Sequence, residues 1–210
     1  MRSLDDRLEA AFKELKTSDK EKRRITLFLK LLKKHTDRMT YEHPIRVALL
    51  GLEAGKFLNL DANALFYSGV LHAVGKIFVP QSLLKKKKLS YKDMEQMMLH
   101  PHDSYDVLCR EFPFSADVVL RHHYYQEGGY SRNIQQYCRK FSDSTKNKIK
   151  DLGKILAVIN FYDSEKHRKD QKFAGKSGNL SSGEVKERLL SKYPRKREMI
   201  ASLYSAKIFR

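Results

Sequence analysis

Cysteine is scarce in this chain, and the two present, Cys109 and Cys138, show no CxxC spacing and form no framework. That excludes a disulfide-stapled scaffold and a cysteine-rich zinc module, so the two read as reduced thiols in a cytoplasmic protein. Long hydrophobic runs are missing too. The longest stretch free of Asp, Glu, Lys and Arg runs from Ala62 to Gly75, shorter than the roughly 18 apolar residues a membrane span needs. The first residues, Met1-Arg2-Ser3-Leu4-Asp5-Asp6, carry charge and lack the apolar stretch of a signal peptide. Tryptophan is absent and proline occurs five times. Acidic residues are in deficit, 25 against 42 lysines and arginines, for a net charge of +17. Such an excess attracts nucleotides, nucleic acid or an acidic membrane face. Lysines spread over solvated helix faces account for it equally well. Neither Lys85-Lys86-Lys87-Lys88 nor Lys192-Tyr193-Pro194-Arg195-Lys196-Arg197 has the interleaved aromatics of a single-strand stacking platform. A helical RNA- or DNA-binding protein is therefore a weaker reading.

What is present is helical periodicity. Ser3 and Ser18 stand as caps before apolar positions at helical spacing. A third helix is expected from Pro44 to Leu58, with the proline in its first turn, and Asp61 opens an apolar one from Ala62 to His72. Ser90 starts a helix continuing past Pro101, and Ser115 caps another ending near His122-His123. Residues 126–145 read as a long irregular segment opened by Gly128-Gly129-Tyr130, and loops of that length are usually functional or disordered. Helix returns from Lys146 to about Arg168, and a final pair follows the Gly/Ser-rich turn of Gly175 to Gly183. No segment alternates with period two. The expected fold is all-α, a single-domain helical bundle, with N-terminal helices over 1–38, a core over 39–170 and a C-terminal helical pair over 171–210. The N-terminal helices read as lid packing or as a dimerisation element.

Chemistry concentrates in histidine. Of eight, His43, His72, His100, His122 and His123 fall at or near predicted helix ends. A bundle can converge such side chains on one point. A lone histidine beside an apolar face is ordinarily a hydrogen-bonded core residue, but five in the order H…H-x-x-G-K…H-P…H-H are not five such coincidences. Imidazole suits iron, manganese, nickel, copper and zinc. Two metals about 3.5–4 Å apart need a bridging anion, commonly a carboxylate. Lys76 beside them would neutralise phosphate charge as a point cation.

The order and the words around it resemble the HD-GYP family, the HD-superfamily phosphodiesterases that cleave cyclic di-GMP. Tyr41-Glu42-His43-Pro44-Ile45-Arg46-Val47-Ala48 is similar to its first-His helix. Gly69-Val70-Leu71-His72-Ala73-Val74-Gly75-Lys76-Ile77 is similar to its "G-L-L-H-D-I-G-K-I" segment. Leu99-His100-Pro101-His102 resembles "K-x-H-P", and Val119-Leu120-Arg121-His122-His123 resembles the paired-His segment. Glu127-Gly128-Gly129-Tyr130-Ser131 looks like the signature loop with Ser for Pro, and Val158-Ile159-Asn160-Phe161-Tyr162-Asp163 looks like "V-A-D-x-Y-D".

The resemblance covers roughly Thr40 to Arg168 and implies an HD-type bundle with extra terminal helices. It implies metal ligands at His43, His72, His100, His122, His123 and Asn160. Two divalent transition metals are implied, iron, manganese or nickel first and zinc next. The substrate it implies is a small anionic nucleotide, met by Lys76, Gly128, Gly129, Tyr130 and Arg168. Asp163 matches a non-ligand Asp that fixes local structure. Two departures bear on activity. Ala73 stands where the family's bridging Asp is expected, and Asn160 replaces a second carboxylate. Either an introduced Asp→Ala exchange or natural decay explains Ala73. The implied function is a metal-dependent phosphodiesterase weakened by Ala73; the alternative is a catalytically silent nucleotide sensor.

Overall fold

The structure, a computed structural model, describes residues 3–86, 88–125, 134, 137–167 and 180–210. Helix α1 (Leu4–Glu14) and helix α2 (Asp19–His35) each start at a serine whose hydroxyl accepts from the third helical N–H while an acidic side chain returns the bond. These are the capping boxes expected of Ser3 and Ser18. Each lays one apolar stripe inward: Leu8, Ala11 and Phe12 from α1, then Ile25, Phe28, Leu29 and Leu32 from α2.

Helix α3 (Arg38–Phe57) begins earlier than the sequence suggested, because Asp37 caps it through the Thr40 N–H. Pro44 consequently lies inside the helix rather than in its first turn. Helix α4 (Ala62–Leu71) follows the Asp61 cap and packs closely on α3. A Cβ on Gly69 would lie 2.7 Å from Ala48 Cα, so glycine is what permits that approach. His72 caps the C-terminus of α4.

The chain then turns through a short 3-10 segment, Val74–Phe78, into α5 (Gln81–Leu84). Helices α6 (Tyr91–Met97) and α7 (His100–Leu108) are separate, where one continuous helix was expected. Pro101 explains the break: it has no N–H to continue a ladder and fits a first turn. Helix α8 (Pro113–Arg121) likewise starts on a proline, so Ser115 is a buried interior residue and not the cap. Helix α9 (Asp143–His167) starts three residues before Lys146, with the Ser142 hydroxyl accepting from Thr145 N–H. Helices α10 (Ser182–Lys192) and α11 (Arg197–Ser205) complete the chain, joined by the 3-10 turn Pro194–Lys196.

Among the described residues there is helix and turn but no strand, and the fold is all-α as expected. The apolar residues form two main clusters. One joins α1, α2, α3 and α4 through Phe12, Ile25, Leu32, Ile45, Phe66 and Leu71. The other sets α9 against α10 and α11 through Leu156, Ile159, Val185, Leu189, Ile200 and Leu203. Tyr162 stacks on Phe209 with ring centroids 4.0 Å apart, and its hydroxyl donates to Arg210 O at 2.9 Å. No helix is long and apolar enough to cross a membrane among the described residues.

One expectation is overturned. Cys109 and Cys138 are joined in a disulfide with Cα atoms 5.3 Å apart. The segment after residue 137 folds back over the end of α7, where the Cys138 N–H donates to buried Asp117 at 3.0 Å. That return brings together two cysteines whose sequence spacing carries no motif, within ordinary bridging range.

Candidate metal centre

Three helical termini and one helix interior supply the imidazoles. His43 lies within α3, His72 caps α4, His100 opens α7, His122 caps α8 and His123 follows it. The rings form a continuous chain of contacts. Centroids lie 4.9 Å apart for His43 and His72, 5.3 Å for His72 and His122, 3.9 Å for His122 and His123, and 5.3 Å for His100 and His123. The five histidines singled out in the sequence therefore meet. The remaining three, His35, His102 and His167, do not join that chain of rings: His35 Nε2 bonds Val79 O at 2.7 Å, and His167 Nε2 lies 3.5 Å from Asp163.

Three of the rings are oriented by the same device. Nδ1 of His72 meets Gly69 O at 2.7 Å, that of His100 meets Met97 O at 2.7 Å, and that of His122 meets Val119 O at 2.5 Å. Each Nδ1 must carry its hydrogen to donate to a carbonyl, which leaves the Nε2 lone pair for the interior. Metal-ligating histidines are ordinarily fixed in this way.

His43 is held differently. Its Nδ1 lies 2.6 Å from Asp163 Oδ2, and its Nε2 lies 2.8 Å from Asn160 Oδ1 and 3.1 Å from His72 Nε2. Since His72 donates through Nδ1, the hydrogen between the two Nε2 atoms belongs to His43. Asp163 is fully buried and also accepts from Arg46 Nε at 2.9 Å and Nη2 at 3.0 Å. Burial alone would raise the Asp163 pKa, but the bonds and charges of His43 and Arg46 outweigh it and hold the carboxyl below its usual range.

Arg46 was missed in the sequence as a site residue. The signal was there: His43 and Arg46 share one face of α3 at spacing i, i+3, and Asn160 and Asp163 share one face of α9 at the same spacing. Asp117 and Arg121 make a separate structural contact. They form a buried pair at 2.9 Å on α8, and the Arg121 guanidinium lies 4.1 Å from the Tyr137 ring centroid.

The site repels protons. Burial first, then the neighbouring His43, His122 and Lys76, drive the His72 pKa well below its ordinary value. Burial takes His122 down to about 3. His123 reaches solvent at one edge, yet desolvation and the adjacent His122 and His100 depress it well below normal too. Neutral imidazoles with inward lone pairs are what a divalent transition metal binds.

His100, His122 and His123 have ligand nitrogens all within 4.8 Å of one another. His122 Nε2 is buried without a hydrogen-bond partner among the described residues. A buried acceptor left unmatched costs roughly 1–3 kcal/mol, and a bound cation would remove that cost. The donors present therefore fit a metal ion.

Lys76 is buried in the 3-10 turn, and its charge acts on His72, His122 and His123. The turn is pinned against α7: Gly75 N–H donates to Ser104 Oγ at 2.7 Å, and Ser104 Oγ donates to His72 O at 3.2 Å. Ala73, where the sequence resemblance leads one to expect an Asp, is fully buried and packs with the first apolar cluster. Gly128, Gly129, Tyr130 and Arg168, the other expected substrate contacts, lie outside the described residues.

Comparison with known proteins agrees with this arrangement. The HD domain family matches residues 40–165, more than half of the chain and the stretch that holds all five imidazoles. The chain belongs to the HD domain family. This HD domain is also similar to a cyclic di-GMP phosphodiesterase of Pseudomonas aeruginosa, 29% identical over 139 residues. The match covers 62% of this chain and 31% of that relative, so the chain spans about a third of the relative's length. The relative supports the HD-GYP type within the HD superfamily, which the sequence resemblance had implied.

Proposed function

We propose that this HD domain is a metal-dependent phosphodiesterase of HD-GYP type whose substrate is a cyclic dinucleotide, and that Ala73 weakens its activity. The observation that carries the reading is the convergence of five imidazoles beside one buried lysine. His43, His72, His100, His122 and His123, with Asn160, form the donor set that would hold metal. A divalent metal bound there supplies Lewis acidity and an activated water.

The chain's own residues do the rest. Lys76 holds a phosphate oxygen and offsets charge that builds on it in the transition state, where a dry site makes the interaction stronger than in water. Asp163, held by Arg46, keeps His43 in one orientation. The carbonyls of Gly69, Met97 and Val119 keep three other rings in one tautomer. Ala73 contributes no anion, so cations gathered there are less well balanced than in a site with the Asp. The relative's cyclic di-GMP phosphodiesterase activity and the +17 charge both favour an anionic nucleotide.

A second reading, a nucleotide-binding sensor without turnover, is favoured by Ala73 and by the His43–Asn160–His72 hydrogen bonds, which satisfy that end of the donor set internally. One experiment separates the two. Hydrolysis of cyclic di-GMP and of bis(p-nitrophenyl) phosphate is measured for the chain, for Ala73→Asp and for Lys76→Ala, beside calorimetry with cyclic di-GMP. The phosphodiesterase reading expects at least a tenfold gain in turnover for Ala73→Asp and loss for Lys76→Ala. Binding with no turnover in any variant supports the sensor, and neither binding nor turnover rejects both.

A further inference from the structure

We infer that the site takes up one transition-metal ion tightly, at the His100–His122–His123 end, rather than a balanced pair. The inference rests on reading the cluster as a metal site and specifies how many ions it holds and where.

The two ends of the donor set are not equivalent. At the α3–α9 end the donor atoms already engage one another: His43 Nε2 bonds Asn160 Oδ1 at 2.8 Å and His72 Nε2 at 3.1 Å. A cation entering there must break both contacts and displace the hydrogen on His43 Nε2. At the α7–α8 end the three ligand nitrogens lie within 4.8 Å of one another, and His122 Nε2 is buried without a hydrogen-bond partner among the described residues. The Val119 and Met97 carbonyls fix His122 and His100 with their Nε2 lone pairs directed inward. A cation arriving at this end breaks no bond of His122 Nε2.

Charge sharpens the difference. Two divalent ions repel with four times the energy of two unit charges at the same separation, and a shared anion normally offsets this. Ala73 supplies none, Asp163 is bound to His43 and Arg46, and Lys76 adds a further positive charge nearby. The first ion bound therefore opposes a second. Three imidazoles without a carboxylate suit zinc, cobalt, nickel or copper better than magnesium, calcium or manganese. A three-histidine set is an arrangement that catalytic zinc uses elsewhere.

The test is calorimetric titration of the EDTA-stripped, dialysed full chain with zinc chloride, with metal content after desalting read by plasma mass spectrometry. One tight equivalent is expected. His122→Ala should lower zinc affinity more than 100-fold, whereas His43→Ala should cost less than tenfold. Ala73→Asp should restore a second equivalent. Circular dichroism checks each variant, and His123→Ala, at the more exposed position, replaces His122→Ala if that variant is unfolded. Two equivalents of similar affinity in the unaltered chain would overturn the inference. So would no tight zinc at all, or a larger loss from His43→Ala than from His122→Ala. Cyclic di-GMP hydrolysis with two equal metals would leave the proposed function standing and remove this inference. One zinc without nucleotide binding would do the reverse.

Discussion

Asp163 Oδ2 lies 2.6 Å from Nδ1 of His43, joining residues 120 positions apart in the chain. Arg46 closes on the same carboxylate from one turn further along α3, so one buried anion sets the ring orientation and balances a guanidinium. Removing it breaks a buried ion pair from one side. Asp163→Ala should destabilise the protein by about 3–5 kcal/mol, because His43 and Arg46 lose their shared buried anion and Arg46 keeps only the longer contact to Glu42 at 3.4 Å. Urea denaturation checks this. Asp163→Asn, which keeps the shape, should remain folded and show a 10–100-fold loss of metal affinity. An unchanged affinity would mean that the carboxylate does not orient a ligand.

Gly75 is a second structural key. A Cβ there would sit 2.1 Å from the His100 carbonyl oxygen and 2.7 Å from Ser104 N. Both obstacles are backbone, so the 3-10 turn and α7 must part to admit it. Gly75→Ala should cost about 3 kcal/mol or more and displace His100 and Lys76 together. Thermal unfolding and zinc affinity should both fall; a variant with unchanged melting temperature would contradict the packing described.

The buried imidazoles make stability depend on pH. His72, His122 and His123 have folded pKa values below the ordinary 6.5, with His122 at about 3. Above pH 6.5 these rings are neutral in folded and unfolded chains alike, and they contribute no slope. Below it the unfolded chain binds protons that the folded one refuses, so stability falls as pH falls toward the folded values. Each ring adds a slope of roughly 1.4 kcal/mol per pH unit. Urea midpoints measured in EDTA at pH 8.5, 7.5 and 5.5 should be similar for the first pair and clearly lower at the third. A flat profile would place the imidazoles in contact with water.

The disulfide is expected to matter for stability. Cys109 and Cys138 are 29 residues apart, and closing a loop of that length constrains the unfolded chain by roughly 3–4 kcal/mol. Reduction by dithiothreitol, or Cys109→Ser, should lower the melting temperature by several degrees. Alkylation with iodoacetamide before and after reduction, read by mass spectrometry, reports whether the bond forms.

Much of the architecture was readable from residues alone because it depends on local signals. Ser3, Ser18, Asp61 and Ser90 stand where the structure places helix caps, since a side-chain oxygen and the following N–H groups are neighbours in sequence. Local signals also misled. Ser115 is a good cap residue, but Pro113 starts the helix first, and Pro44 tolerates an interior position within a helix that Asp37 had already begun. The histidine order pointed to a common site because it matched a known pattern. Arg46 with Asp163, and Cys109 with Cys138, join distant segments, and nothing in their local spacing fixes the partner.

The most direct check on the account is an anomalous difference map at the zinc edge from a crystal of the full chain grown with zinc. A peak within coordinating distance of His100, His122 and His123, with Asp163 against the far nitrogen of His43, is the expected result. An empty cluster in zinc-saturated crystals, or a peak only at surface residues, would contradict it.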